Sequence, residues 1–579
     1  MGVAHSQTTN SWIDPSDGKW EKAHHWDDGL PSIKQSAVII SNANSKIVTI
    51  DRHTAHAFSK SLTISNLTVS AQDGGINTLF LDNTGSIALH ILNGLNIGFN
   101  PNNPFVGKSD LISSNSTLIV DGLLGGQLED NGTMLITGGS LITTNCSLTL
   151  GGFFDHTTDF LLLSNAVVQA RDVSIAWEDN SSGTIEIIGG TMTLSSSLTV
   201  GAGVWGTQGS LLVANGGLLV VTNDWTDIGG FWESDGSLTV SNASFLAAGI
   251  SLGGTRCFGE LVIDNGTVTL SGELGVGGYT SYGIVSLNGG MLTVTNDTTT
   301  LGGQQGYGEI TIEGGVFLAR EILVGSEYHS GGNLTVNGGI SILSSNLQIG
   351  GDETGAIVSI TGGQLFVTNA PVSLDYEGQC SVSGGQLATK TIEIDRRLAD
   401  FPSGGTLTVS GGSITVSDGI TLGDCNDINA AGYTSVDGGQ LIVTNAAGTG
   451  FIDIQNGQLA LNSGTLQVDK LVMTNTCGSF VHTGGTLIVG SVVLDPNAFH
   501  IVSVTPQGND MLVTWMMAQG ATNTLQAACG GVHGECTTNG FVDIFIVTNN
   551  TTAGCITNYL DIGGATNKPS RYYRARLSL

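Results

Sequence analysis

The chain holds 579 residues of which only 11% are charged, with Lys+Arg 18 against Asp+Glu 48 and a formal net charge of −30. Apolar residues, at 40%, are too many for a disordered chain, and 86 glycines without a Gly-X-Y period exclude collagen and point to many tight turns. The acidic field and the lack of a basic run exclude nucleic acid as a partner, and no stretch approaches the ~20 apolar residues of a membrane span.

The first residues, MGVAHSQTTNSW, carry neither a basic region nor an apolar core of the kind a signal peptide needs. The reading adopted is a secreted or cell-surface protein whose signal peptide has been removed. Residues 1–60 read as an N-terminal cap, with Trp12, Trp20 and Trp26 among its apolar residues. His24 and His25, in HHWDD, are weighed as a metal cluster and read as cap surface instead, so no metal site and no cofactor are expected.

From 61 to 494 the chain repeats itself. A Gly-Gly or close substitute recurs about every 25 residues inside a constant apolar frame, for example at Gly266, Gly290, Gly315 and Gly339. One unit, GELVIDNGTVTLSGELGVGG (Gly259 to Gly278), shows three short runs of alternating apolar residues separated by Gly, Asn or Ser. Such alternation marks a half-buried strand, and Gly and Asn supply the positive φ of sharp corners. About three strands per coil with no helical segment predict an all-β fold, a right-handed parallel β-helix in which each coil pairs with the next. The pattern is less regular from Ser61 to Gln127 but reads the same way. Residues 495–579 change grammar and read as a small antiparallel β-domain, with Lys568, Arg571, Arg574 and Arg576 near its end.

The spacing of Trp12, Trp20 and Trp26, the Gly-Leu-Pro that follows, and the GGxLxV coils resemble autotransporter-like and hemagglutinin-like β-solenoid proteins of Gram-negative bacteria. The C-terminal TNYLDIGGATNKPSRYYRARL is similar to small domains that end secreted repeat proteins of verrucomicrobial bacteria. These resemblances imply export and a surface or matrix location rather than an activity.

A catalytic β-helix needs clustered carboxylates with a base. Between Gln127 and Leu494 only Glu393 to Asp400, with Arg396 and Arg397, is read as placing acids and bases together, and it reads as a solvated loop. No catalytic residue is assigned and no enzyme is expected. A better candidate is a series of aromatics in the loop that follows the third strand of each coil: Phe154, Trp177, Trp205, Trp232, Phe258, Tyr279, Tyr307 and Tyr328, with Phe231 and Tyr282 beside them. One reading is a self-stacked ladder that seals a corner; the other is a platform for sugar rings or a second subunit. Acidic loops at Asp352, Glu353, Asp424 and Asp427 suggest calcium only weakly, because no GGxGxD repeat accompanies them.

Cys146, Cys257, Cys380, Cys425 and Cys477 are scattered singly and read as small apolar residues, whereas Cys529 and Cys536 enclose a short loop that a disulfide would close. The function expected is an extracellular structural or adhesive scaffold that self-associates head to tail. Binding of extracellular polysaccharide through the aromatic row is the alternative, and polysaccharide degradation ranks third.

Overall fold

The structure, a computed structural model, describes residues 8–58, 62–72, 74–98, 106–122, 125–128, 131–151, 158–351, 355–395, 404–427, 429–475, 477–494, 500–517, 522–530, 540–549, 555–566 and 570–578. It is all-β, a parallel β-solenoid of about 18 turns followed by small antiparallel sheets near the C-terminus. The chain divides into two compact units, one up to Ser344 and one that starts at Ser345.

In the first unit a representative coil runs through the strand Gln208–Ala214, turns at Asn215 and Gly216, and continues as Leu218–Ile228. The second strand bends between Val221 and Trp225, so each coil presents three faces. Every face pairs in parallel with the same face of the coils before and after it. On the first face Leu211, Leu238, Leu261, Val285, Ile310 and Leu334 stand in register, each at most 1% exposed. The second stacks Leu219, Phe245, Val268, Leu292 and Phe317, and the third Ile228, Leu252, Val276, Leu301 and Val324. Burying one such side chain contributes about 1.5–3 kcal/mol relative to leaving it in water, and each apolar ladder supplies one per coil.

Glycine is required at the corner between the third and first faces. Gly277 has φ +79°, and a Cβ there would lie 2.2 Å from the Tyr307 carbonyl oxygen. Gly308 has no such φ, but its Cβ would stand 2.2 Å from the carbonyl of Val276. Inward glycines of this kind (Gly209, Gly236, Gly259, Gly283, Gly308) form a column of their own, because the corner backbone folds over that position.

Parallel pairing begins inside the segment expected to be a cap. Thr9–Ser11 pairs with Ala37–Ile40, that strand with Leu62–Val69, and Lys46–Asp51 with Ile76–Asp82. Trp12, Trp20 and Trp26 are buried against one another, with Trp26 edge-on to both partners and its Nε1 donating to the Trp20 carbonyl at 3.0 Å. Asp51 caps the short helix Arg52–Ala57 by accepting from the amides of His53 and Thr54. Lys46 is buried, and its Nζ donates to the carbonyls of Asn42 and Asn44 and to Asn77 Oδ1; burial holds its pKa below the usual lysine value.

In the second unit the stacking continues through Leu387, Ile414, Leu441, Leu466 and Leu487. Two antiparallel sheets then follow, Ile501–Gln507 with Asp510–Met517 and Cys555–Asp561, and Val542–Thr548 with Thr522–Cys529 and Arg571–Ser578. Trp515 is buried between them with Val513, Met517 and Leu525. Asp561 accepts from Arg571 Nε at 2.6 Å and from the Tyr573 hydroxyl at 2.8 Å, which pins the last strand.

The cysteines need one correction. Cys425 and Cys477 are not isolated apolar residues but form a disulfide across 52 residues, with Cα atoms 5.8 Å apart. Coils set residues that are distant in sequence side by side, and Cys425 sits in a loop that reaches the later coil. Cys146, Cys257 and Cys380 are buried. Cys529 Sγ lies 3.4 Å from Arg571 Nη1, and Cys536 falls outside the described residues.

Replacing Leu261 by Ala removes one rung between Leu238 and Val285. The expected cost is about 3 kcal/mol, read as a lowered thermal midpoint by circular dichroism; an unchanged midpoint would show that the ladders do not carry the stability.

Candidate functional site

The described aromatics divide between the first-face strand, where three share one register, and the corner loops, where Tyr279 aligns with Thr255 and Phe231 rather than with Trp232. Phe258, Tyr282 and Tyr307 occupy the first position of the first-face strand, immediately before an inward glycine, and pair with one another in register. Their rings stack, Phe258 on Tyr282 at 6.0 Å and 18°, and Tyr282 on Tyr307 at 5.4 Å and 12°. The Tyr282 hydroxyl donates to Glu309 Oε2 at 3.0 Å. Burial first and this hydrogen bond second push its pKa up to about 12, and burial raises Tyr307 as well, so both phenols stay neutral.

Trp177, Trp205, Trp232, Tyr279 and Tyr328 belong to the corner loops and are each 44–53% exposed. The loops have their own hydrogen-bond ladder: Trp205 N donates to the Trp232 carbonyl at 2.8 Å, Trp232 N to that of Thr255, and Arg256 N to that of Tyr279. Trp205 and Trp232 sit at φ +57° and +52°, a conformation that costs a bulky residue about 1–3 kcal/mol. Among the described residues no ring stacking joins these five to one another; the Arg256 guanidinium lies 4.9 Å above Trp232, and Tyr328 packs on His329 at 3.9 Å. Phe154 lies outside the described residues. Both sequence readings therefore have a counterpart: the strand-face rings stack on themselves, and the loop rings project outward.

Below Phe258 the strand-face row changes character. The register positions that precede it are Asp235, Gln208 and Ser182, so the face of the Phe258 ring looks onto coils with polar side chains. A shallow groove of about 420 Å³ opens there. Its outward lining comes from those residues and from Thr184, Ser210 and Ser237 of the neighbouring row; Gly209 and Gly236 make the floor and Phe258 one end wall. Sequence reading missed this groove, although a signal was present. The residue before each inward glycine (QGSL, DGSL, FGEL, YGIV, YGEI) names the row directly.

Other candidates have plainer roles. His25 Nδ1 lies 2.6 Å from Asp14 Oδ2 and its ring stacks on Trp12, which explains HHWDD as part of the first coils. Asp424 and Asp427 each accept from a backbone amide two residues on, at Asn426 and Asn429. Asp352, Glu353, Arg396 and Arg397 lie outside the described residues. Among the described residues no three or more His, Cys, Asp or Glu side chains converge, and no helix is long and apolar enough to cross a membrane.

Carboxylates crowd the outer surface of the first unit. Burial, and then a neighbouring carboxylate, raise the pKa of Glu178 (beside Asp179), Asp227 (beside Asp224) and Glu273 (beside Asp297). An acid whose folded pKa exceeds its unfolded value takes up its proton first in the folded state, so stability rises as pH falls through that window. Asp14 and Asp51, whose pKa values are lowered, oppose this only as the pH drops toward their ordinary value of 3.8. The thermal midpoint is therefore expected to be higher at pH 5 than at pH 7, and Glu273→Gln should shrink the difference. A midpoint that falls steadily on acidification from neutrality would contradict this balance.

No protein-family model and no curated protein matches the chain.

Proposed function

We propose that this protein is a non-catalytic structural and adhesive scaffold of the cell exterior. The observation that carries the reading is coil-on-coil stacking in constant register, which turns most outward positions into long columns of small polar and apolar residues. Such a surface suits repeated contact rather than a converging catalytic group. The resemblance to autotransporter-like passengers supports export, and the Cys425–Cys477 disulfide supports an oxidising compartment. A non-reducing peptide map of protein purified from its native compartment is expected to contain the linked Cys425 and Cys477 peptides; reduced thiols at both positions would count against an exterior location.

End-to-end association is the second part of this proposal, and the difference between the two terminal coils supports it. On the side away from Ala37–Ile40 the short strand Thr9–Ser11 is covered by the chain at 27–29: Asp27 N donates to the Ser11 carbonyl at 3.0 Å, Ser11 N to Asp27 Oδ1 at 2.7 Å and Asn10 Nδ2 to the Gly29 carbonyl at 2.9 Å. By contrast, among the described residues the strand Thr486–Leu494 pairs with one strand only, is nine residues long and leaves Ile488, Val492 and Val493 exposed, with Leu577 beside it in a shallow groove lined also by Leu487 and Val489. Unlike ends of this kind meet heterologously and propagate into filaments. Light scattering and negative-stain microscopy over a concentration series are expected to show filaments that Val493→Lys shortens or abolishes. A chain that stays monomeric throughout would reject assembly. A second reading, glycan recognition by the loop aromatics, is favoured by the five exposed rings that do not stack on one another.

A further inference from the structure

We propose that the groove at the foot of the aromatic stack is a carbohydrate subsite, in which a sugar ring of a neutral polysaccharide stacks on the free face of Phe258. The stack itself limits where a sugar can bind. Each face of the Tyr282 ring is covered by a neighbour in the column, so only its two ends offer an aromatic face. Beyond Tyr307 the next register position is Gly331, which brings no side chain to a ligand. Beyond Phe258 come Asp235 and Gln208, both exposed and, among the described residues, with no side-chain hydrogen bond.

The groove's chemistry matches a polyol. A carboxylate accepts from hydroxyl groups, an amide both donates and accepts, and the Ser210 and Ser237 hydroxyls add two adaptable partners. The Phe258 face supplies the apolar contact for the C–H side of a sugar ring. From Phe258 to Ser182 the groove crosses three coil intervals, about 14 Å along the stack. That length suits a short run of sugar units lying across the coils. The net charge of −30 and Asp235 itself disfavour an acidic polysaccharide. The site is shallow and open, so each contact is weak, and a polymer engages it better than a single sugar.

The inference stands apart from end-to-end assembly, since a monomeric chain would bind equally well. It also differs from recognition by the loop tryptophans, and the experiment separates the two. The full chain is run by native electrophoresis through gels that contain mixed-linkage β-glucan, xyloglucan or galactomannan, with polygalacturonate as the acidic comparison. Retardation by at least one neutral polymer and none by polygalacturonate is expected. Phe258→Ala should weaken binding about three- to tenfold and Phe258→Tyr should retain it. Asp235→Ala should weaken it also, while Trp205→Ala and Trp232→Ala should leave it unchanged. If Phe258→Ala lowers the thermal midpoint, Asp235→Ala and Gln208→Ala, at exposed positions outside the stack, decide the matter. Any one of three results would overturn the proposal: no retardation by the three neutral polymers, undiminished binding in the Phe258 and Asp235 variants, or binding lost only with the tryptophans.

Discussion

Everything in this molecule depends on the in-register parallel pairing of one coil with the next. Side chains alternate between core and surface with a period of two, so a slip of one residue would turn a whole apolar row outward. Leu211, Leu238 and Leu261 stay inward because their strands keep that register, and the same register lines up whatever lies on the outside. A parallel strand also finds its backbone partners in the neighbouring coils rather than in its own. The solenoid therefore satisfies its amide and carbonyl groups by repetition, and a terminal coil needs other cover, such as the chain at Asp27 gives the strand Thr9–Ser11.

That constraint explains both the composition and the surface. Corners recur every coil and bring backbone within about 2–3 Å of where a Cβ would stand, as at Gly277 and Gly308, so glycine is abundant without any membrane or collagen logic. Outward positions are free of the core, yet they are not independent of one another, because each lies one coil spacing from its equivalents. Aromatic residues placed in register stack on their neighbours, as Phe258, Tyr282 and Tyr307 do, and burial together with a neighbouring carboxylate raises the pKa of an acid such as Glu273. The column arrangement makes a change of residue type along a row significant. Where aromatic gives way to polar, at Phe258 and Asp235, a ring face and a groove appear together.

The C-terminal sheets follow a different principle. Their strands pair antiparallel, Asp510–Met517 with both Ile501–Gln507 and the distant Cys555–Asp561, and a compact core around Trp515 replaces the apolar ladders. Basic residues near the end of the sequence are built into this domain. Arg571 is held by Asp561, and Arg574 donates to Gln526 and lies over Phe541. Their charges are thus used to fix a strand rather than to offer a free cationic surface.

By itself the sequence determined the fold class, because alternating apolar residues and glycine or asparagine corners at a constant period point to coils that pair with the next, and the alternation told inward from outward positions within a run. Which surface residues meet was decided by tertiary structure, and the reason is loop length. From the corner glycine to the next inward glycine the chain runs from Gly201 to Gly209, then from Gly229 to Gly236, but only from Gly253 to Gly259. An aromatic counted from the corner and one counted from the following strand therefore fall in different rows, even when both follow the third strand in sequence. The partnership of Cys425 with Cys477 arises in the same way, since a loop excursion and the coil spacing together close a distance that a sequence separation of 52 conceals. The start of parallel pairing at Thr9 was likewise hidden, because strands of two or three residues are too short to show alternation.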